Sequence, residues 1–235
     1  MKLKITDEIQ EKYPNLKIGV VVARGTTNHK SNQNIEQFKR VAEEKLKNSE
    51  WTPERLIEHP FIAAWRDTYR SFGVKPKEYV PTAESLIKRV LKGNRLPQIS
   101  VVVDAYLVVE LEHFLPIGGY DIDTINGDIV LRFSSGNESF TPLGGGKKET
   151  KLGEVVYSDD KQVLTMCWNF LDCDKTKITL NTKNFALFIE AADPRIPKEA
   201  LEKATIRLQQ VLEQFCPGTY RNFIIDVSKD LECEI

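Results

Sequence analysis

Apolar positions recur with helical spacing in three segments of the chain, residues 32–48, 82–94 and 197–218. Such a stripe, with charged residues opposite, predicts an amphipathic helix that packs one face on a core. In the first segment the stripe consists of Ile35, Phe38, Val41, Ala42 and Leu46. The second segment stops at Gly93 and the third at Pro217-Gly218, which are typical helix ends.

Proline and glycine mark a fourth helix between residues 53 and 72. Thr52 followed by Pro53 is typical of a helix start, because a threonine caps the first turn and a proline fits inside it. We expect Pro60 to interrupt this helix, which then restarts and ends before Gly73.

The longest apolar run, residues 99–116, fits two kinds of element. Its valines favour a strand. Its length and the helical spacing of one apolar stripe suit a buried helix, which is our prediction. The stripe consists of Val102, Tyr106, Val109 and His113.

Short apolar runs separated by glycine-rich and charged turns predict strands. The runs are 16–25, 129–133, 154–158, 162–168, 185–190 and 222–228. Their order among the helices predicts a fold of the α+β class, in which mixed β-sheets pack with helices. The sequence contains no repeat and no low-complexity linker, so we expect residues 1–235 to form a single domain.

The composition is typical of a globular protein, with 41% hydrophobic and 29% charged residues. No apolar run reaches the roughly 18 to 20 residues of a membrane span. Residues 1–16 are too charged for a secretory signal. The four cysteines lack CxxC spacing, which indicates reduced thiols. We therefore expect a cytoplasmic protein without membrane contact.

The formal net charge of −1 does not by itself indicate a nucleic-acid partner. Basic residues are instead clustered at 39–47, 88–95, 147–151 and 175–177. Each cluster is either a solvated face or a contact for phosphate.

Signatures of nucleophilic and metal-dependent catalysis are missing from the sequence. Residues 144–150, GGGKKET, lack the GxxxxGK[ST] spacing of a phosphate loop, and no helix is predicted after them, which indicates a basic hairpin tip. None of the three histidines lies in a Ser-His-Asp or Cys-His context. We predict no cofactor and no metal.

Three short segments carry unusual residues at or beside apolar runs. In LPIGGYD, residues 115–121, Gly118 and Gly119 indicate either a tight turn or a backbone that another group approaches closely. Glu190 ends an almost wholly apolar strand, where a carboxylate either faces water or needs a partner or a function. Trp168-Asn169 provides either a surface for a base or a polar side chain, or only a buried tryptophan.

Residues 60–192 resemble the editing domain in the beta subunit of bacterial phenylalanyl-tRNA synthetase. The matching positions, in the family's order and spacing, are Val103-Asp104 and the helix after them, Pro116, Asp121 and the strand DIVLR at 128–132. The segments FGVKP and WN make the chain more similar to small freestanding relatives of that domain. Nothing in the chain looks like the catalytic core of a synthetase.

The resemblance implies a fold like that editing domain and hydrolysis of a wrongly attached amino acid from the 3′ end of a tRNA. A single pocket separates amino acids that differ by one methylene by only about 1–3 kcal/mol, so a second sieve is needed. Water can attack the activated ester through positioning and oxyanion stabilisation, without a nucleophilic side chain. The expected function is a trans-acting aminoacyl-tRNA deacylase. Its partners would be a mischarged tRNA and, as a further candidate, an aminoacyl-tRNA synthetase.

The resemblance also supplies the catalytic candidates. A histidine of the family is replaced here by Gly118. Our hypothesis is that Gly118 and Gly119 let the backbone approach the ester, with an N–H directed at the developing oxyanion. Glu190 matches the family's substrate-reading carboxylate and suits a basic side chain on the misattached amino acid.

Tyr106, Trp168 and Asn169 complete the candidates for substrate binding. Tyr106-Leu107 replaces a Thr-Asn pair of the family, which argues against a tyrosine substrate. The candidates for binding the terminal nucleotides are Arg66, Arg70 and Arg89, since guanidinium groups suit phosphate. Surface ion pairs are the alternative for all three.

Two other functions stay open beside the deacylase. A non-catalytic RNA-binding module with the same fold would show salt-dependent tRNA affinity and leave the ester half-life unchanged. A binder of small molecules would be stabilised by free amino acid and not by tRNA.

Overall fold

The structure, a computed structural model, describes residues 1–235. Its helices are α1 (Asp7–Lys12), α2 (Gln33–Lys47), α3 (Pro60–Ser71), α4 (Thr82–Leu91), α5 (Val101–His113) and α6 (Lys198–Phe215). Its strands are β1 (Lys2–Ile5), β2 (Lys17–Arg24), β3 (Ile117–Asp121), β4 (Ile129–Phe133), β5 (Ser139–Phe140), β6 (Lys148–Glu149), β7 (Val155–Ser158), β8 (Val163–Met166), β9 (Leu171–Asp172), β10 (Phe185–Ala191), β11 (Thr219–Asp226) and β12 (Glu232–Glu234). Short 3-10 turns cover Arg55–Glu58 and Ile122–Thr124.

Three sheets confirm the predicted α+β class. The six-stranded sheet has the order β12-β1-β4-β7-β8-β9, and only its β1–β4 pair is parallel. The four-stranded sheet has the order β11-β2-β10-β3 and is antiparallel throughout. Strands β5 and β6 form a separate hairpin, and its tip is the glycine- and lysine-rich segment.

Helices cover one face of the four-stranded sheet. Helix α6 packs on β2, β10 and β11, and α5 packs between α6 and the outer helices α2 and α4. Helix α5 is therefore enclosed on several sides, which explains why its sequence is apolar almost all round. The prediction of a helix for this run is confirmed.

Helix α5 passes directly into the edge strand β3. Phe114 lies in the left-handed region at φ 58° and ends the helix, and Pro116 prevents its continuation. The two glycines that follow belong to β3 and not to a tight turn.

The largest differences from the predicted elements lie near the N-terminus and around Pro60. Strand β1 is absent from the sequence predictions, because its lysines hide a short alternation of apolar residues. The helix expected after Thr52 is only a 3-10 turn. Helix α3 has Pro60 in its first turn, capped by His59, whose Nδ1 accepts the Phe61 N–H at 3.2 Å.

Candidate active site

A small cavity of about 30 Å³ lies between the two large sheets. Strands β3 and β10 of the four-stranded sheet form one wall, and the opposite wall comes from β7, β8, β9 and the turn between β8 and β9. We call it the inner cavity. The polar residues and the glycine that line it are Thr82, Gly118, Tyr120, Tyr157, Thr165, Asn169, Asp172 and Glu190.

A wider, more open cleft of about 470 Å³ adjoins the inner cavity. This outer cleft lies between α4, α5 and β9, and Arg89, Tyr106 and Glu110 face it. Inner cavity and outer cleft share the lining residues Thr82, Ile117, Phe170 and Asp172. The two spaces therefore form one site with a narrow inner part and an open outer part.

Gly118 and Gly119 have different surroundings. Gly118 lines the inner cavity, and a Cβ added to it would meet only Asp172 Oδ2, at 3.8 Å. A Cβ added to Gly119 would lie 2.1 Å from the Ala186 carbonyl oxygen of β10. The close approach that the sequence suggested thus occurs at Gly119, and the group that approaches is the neighbouring strand.

The backbone N–H of Gly119 points away from β10. Along a strand, alternate residues direct their N–H groups to the same side. Two residues further on, Asp121 donates its N–H to Thr176 O at 2.9 Å, on the side opposite β10. By alternation, the Gly119 N–H faces the same free edge of the sheet.

Glu190 is buried in the inner cavity and is only 3% exposed. Its Oε1 accepts the Tyr157 hydroxyl at 2.9 Å, and its Oε2 has no hydrogen-bond partner. Burial raises the pKa of Glu190 to about 8, and the hydrogen bond from Tyr157 opposes this change. The water-facing alternative for this glutamate is therefore wrong.

Two further carboxylates accompany Glu190. Burial raises the pKa of Glu110, on α5, to about 8, and its Oε1 has no partner. Burial also raises the pKa of Asp172, on β9, to about 6. None of the three carboxylates forms an ion pair with a Lys or Arg side chain. The site therefore carries two buried carboxyl groups, of Glu190 and Glu110, and the half-buried Asp172, none of them in an ion pair.

Hydroxyl groups hold Asp172 in place. Thr165 donates to Asp172 Oδ1 at 2.6 Å, and the Tyr120 hydroxyl lies 2.5 Å from the same threonine oxygen. Because Thr165 has one hydroxyl proton and gives it to Asp172, Tyr120 must donate to Thr165. The three side chains form a directed chain that ends on the carboxylate.

Trp168 and Asn169 both line the inner cavity, but the tryptophan ring presents no face to a ligand base. Trp168 is fully buried and is packed edge-on by Tyr13 and Trp65. Base stacking on Trp168 is therefore excluded by this packing, and the ring supports the cavity wall. Asn169 accepts the Tyr69 hydroxyl at 2.7 Å, and its Nδ2 is buried without a partner.

The remaining sequence candidates lie at different distances from the cavity. Tyr106, on α5, and the exposed Arg89, on α4, both line the outer cleft. Arg66 is bound to Glu84 through contacts of 2.8 and 2.9 Å and is largely buried. Arg70 is exposed and pairs with Asp67. Arg66 thus forms an ion pair within the protein, and Arg89 is the arginine at the outer cleft. Contact of these arginines with tRNA stays a prediction.

Sequence analysis missed Asp172, Glu110 and Thr165. Glu110 did give a signal, since a glutamate inside the apolar segment LVVELEH is as conspicuous as Glu190. Asp172 and Thr165 gave none, because the cross-strand pair that they form becomes visible only when β8 and β9 are aligned.

Comparison with known proteins shows the family to which this chain belongs. The sequence profile of the B3/4 domain matches residues 64–217, more than half of the chain. The chain belongs to the B3/4 domain family. The phenylalanine–tRNA ligase beta subunit of Fusobacterium nucleatum subsp. nucleatum is 30% identical to this B3/4 protein over 106 residues, which cover 45% of this chain and 13% of that subunit. The beta subunit from Leifsonia xyli subsp. xyli is 28% identical over 178 residues, which cover 65% and 20%.

This B3/4 protein is thus related to ligase beta subunits, and the aligned residues span about a fifth or less of their length, 13% and 20% in these two. A solved N-terminal fragment of the phenylalanyl-tRNA synthetase beta subunit from Pyrococcus horikoshii aligns with 93% of this chain and 50% of its own, at 14% identity and a TM-score of 0.47. No helix of the B3/4 protein is long and apolar enough to cross a membrane.

Proposed function

We propose that this B3/4 protein hydrolyses the ester between a tRNA and a wrongly attached amino acid. The observation that carries the proposal is the two-part site. An open outer cleft adjoins a small inner cavity with buried, unpartnered polar groups. A terminal adenosine in the outer cleft would place the amino acid at the mouth of the inner cavity, beside its buried polar groups.

The acidic lining favours a positively charged side chain on the misattached amino acid. Glu190 Oε2 is buried without a partner, and no protein cation neutralises Glu190, Glu110 or Asp172. A bound cation would stabilise the ionised form of these groups and compensate for their desolvation. A neutral apolar side chain would leave them unsatisfied.

The backbone of β3 supplies the candidate for oxyanion stabilisation. The Gly119 N–H faces the free edge of the sheet, and the neighbouring Gly118 leaves the cavity wall without a side chain. A fixed N–H donor near the ester carbonyl would stabilise the tetrahedral intermediate. This donor and the catalytic role of the glycines stay predictions.

The experiment is a deacylation assay with tRNAs that carry labelled cationic, aromatic and small apolar amino acids. We expect release with turnover, and a kcat/KM for cationic residues about 10–100-fold above that for neutral ones. Glu190→Gln should remove most of this preference. The matched control Glu199→Gln, at an exposed position of α6, should leave it unchanged.

The outcome that contradicts the proposal is equally specific. If folded protein binds the charged tRNAs but accelerates ester loss from none of them, the hydrolytic function is wrong. A non-catalytic tRNA-binding module would then explain the binding.

A further inference from the structure

We infer that Asp172 is the general base that activates the water attacking the ester, because its carboxylate stands at the junction of the inner cavity and the outer cleft. The inference rests on the proposed deacylase function. It assigns the proton-transfer step to a residue for which neither sequence patterns nor the family resemblance gave a role.

The position of Asp172 distinguishes it from the other two carboxylates. Glu190 lines only the inner cavity, and Glu110 lines only the outer cleft. Asp172 lines both, and its Oδ2 lies 3.8 Å from the point where a Cβ on Gly118 would be. An ester that joins a ribose in the outer cleft to an amino acid at the mouth of the inner cavity must therefore lie beside this carboxylate.

The hydrogen bonds of Asp172 leave one oxygen for water. Oδ1 accepts the Thr165 hydroxyl at 2.6 Å, and this is the single hydrogen bond to the carboxylate from the protein. Tyr120 in turn fixes Thr165. Thr165 is thus a positioning residue, and Oδ2 is available to a water molecule on the side of Gly118.

The hydrolytic step balances with water as the only co-reactant. A lone pair of water forms a bond to the ester carbonyl carbon while Asp172 takes one water proton. The tetrahedral intermediate collapses, the bond between this carbon and the ribose oxygen breaks, and protonated Asp172 returns the proton to the leaving oxygen. Free amino acid and a tRNA with its terminal hydroxyl result, and Asp172 is again ionised.

The surroundings of Asp172 are suited to a base near neutral pH. Burial raises the pKa of its carboxyl group to about 6, and the Thr165 hydrogen bond opposes this change. The titratable groups that face it are Glu110 and Tyr106 from α5, Tyr120 from β3, Tyr157 from β7 and Glu190 from β10, with Arg89 from α4 in the outer cleft. A base with this pKa is mostly ionised at pH 7 and still accepts a proton effectively.

The test is the pH dependence of single-turnover deacylation for three variants. In the wild type the rate should rise between about pH 5 and 7. Asp172→Asn should lower it about 10²–10⁴-fold at unchanged tRNA affinity and remove this rise. Thr165→Val should move the rise to higher pH, because the hydrogen bond that lowers the pKa is lost. The control Asp174→Asn, whose partner is Lys177 on the surface, should behave as the wild type.

The results of this test distinguish the role of Asp172 from the deacylase function on which that role rests. An active wild type whose rate and pH dependence survive in Asp172→Asn overturns the role of Asp172 and leaves the deacylase standing. A wild type inactive on every charged tRNA overturns the deacylase itself. If Asp172→Asn fails to fold, Thr165→Val decides, since an unshifted pH dependence in this variant contradicts the inference.

Discussion

Glu190 and Glu110 are buried acids that the protein itself leaves partly unsatisfied. Isolated buried carboxylates cost free energy, so a core selected only for stability would carry apolar or amide side chains at these positions. Their retention is typical of a binding site, in which a ligand provides the missing partner.

The free-energy cost of burying the Glu190 carboxylate can be measured from the pH dependence of the free energy of unfolding. Its pKa is about 8 in the folded protein and 4.5 in an ordinary environment, so the folded state holds the proton more tightly between these values. The stability contribution is present below about pH 4.5 and is lost as the pH rises towards 8. Glu190→Gln should therefore increase the free energy of unfolding by about 2–4 kcal/mol at pH 8, and much less at pH 5. Denaturant titrations at both pH values measure the difference, and an equal effect at both contradicts it.

The two glycines of β3 should respond differently to the same substitution. Gly119→Ala places a methyl group 2.1 Å from the Ala186 carbonyl oxygen and should cost more than about 2 kcal/mol of stability. Gly118→Ala meets only Asp172 at 3.8 Å and should change stability by less than about 1 kcal/mol. Urea unfolding of both variants tests this, and equal destabilisation would show that the cavity at Gly118 is filled.

At the level of elements, an ion pair joins α2 to the helix that carries Tyr106 and Glu110. Lys39 is fully buried on α2 and lies 3.0 Å from Asp104 Oδ2 on α5. Lys39 also donates to the Pro97 carbonyl oxygen at 2.6 Å. Lys39 belongs to a basic cluster that was expected on a solvated or phosphate-binding face. It instead forms a buried ion pair between α2 and α5.

Removing this link should destabilise the protein strongly. Lys39→Met leaves the Asp104 carboxylate buried without its cation, which should cost about 3–5 kcal/mol. The control Lys45→Met makes the same change at an exposed position of α2 and should lie within about 0.5 kcal/mol of the wild type. Thermal and denaturant unfolding provide the measurement. A mild effect at Lys39 would mean that water reaches Asp104.

On the scale of the whole molecule, the proposed binding of a tRNA would depend on local charge, since the net charge is −1. Arg89 stands exposed at the outer cleft, whereas Arg66 is held by Glu84. Placement relative to the cleft therefore separates arginines that looked equivalent in the sequence.

Substitution by alanine should have different effects at Arg89 and at Arg66. Arg89→Ala should weaken tRNA binding, reduce its salt dependence by about one phosphate contact and leave stability unchanged. Arg66→Ala should instead lower stability by about 3 kcal/mol, because Glu84 stays buried without its partner. Binding isotherms at several salt concentrations, combined with melting curves, distinguish the two. Loss of stability in Arg89→Ala would contradict the assignment.

Helices and strands with a clear local pattern of apolar residues could be predicted from the sequence. The helix α2, the apolar run of α5 and the strand β10 follow from residues within a few positions of one another. Within the predicted stripe of α2, Ile35, Ala42 and Leu46 are buried, whereas Val41 is 61% exposed, which corrects its place on the packed face. Of the resemblance at 60–192, the relation to ligase beta subunits is confirmed, and the assignment to an editing domain stays a prediction. Glu190 was recognised because a single charge in an apolar strand is visible without any partner.

The contacts between residues that are distant in the chain follow from the fold and could not be predicted from the sequence. Asp172 became a candidate because β9 lies beside β8 and opposite Gly118, and Arg66 forms an ion pair because α4 brings Glu84 to it. Gly119 faces β10, a strand more than sixty positions away in the chain. Such contacts depend on how the sheets and helices pack together, and a periodicity of two or 3.6 residues contains no information about a partner so distant.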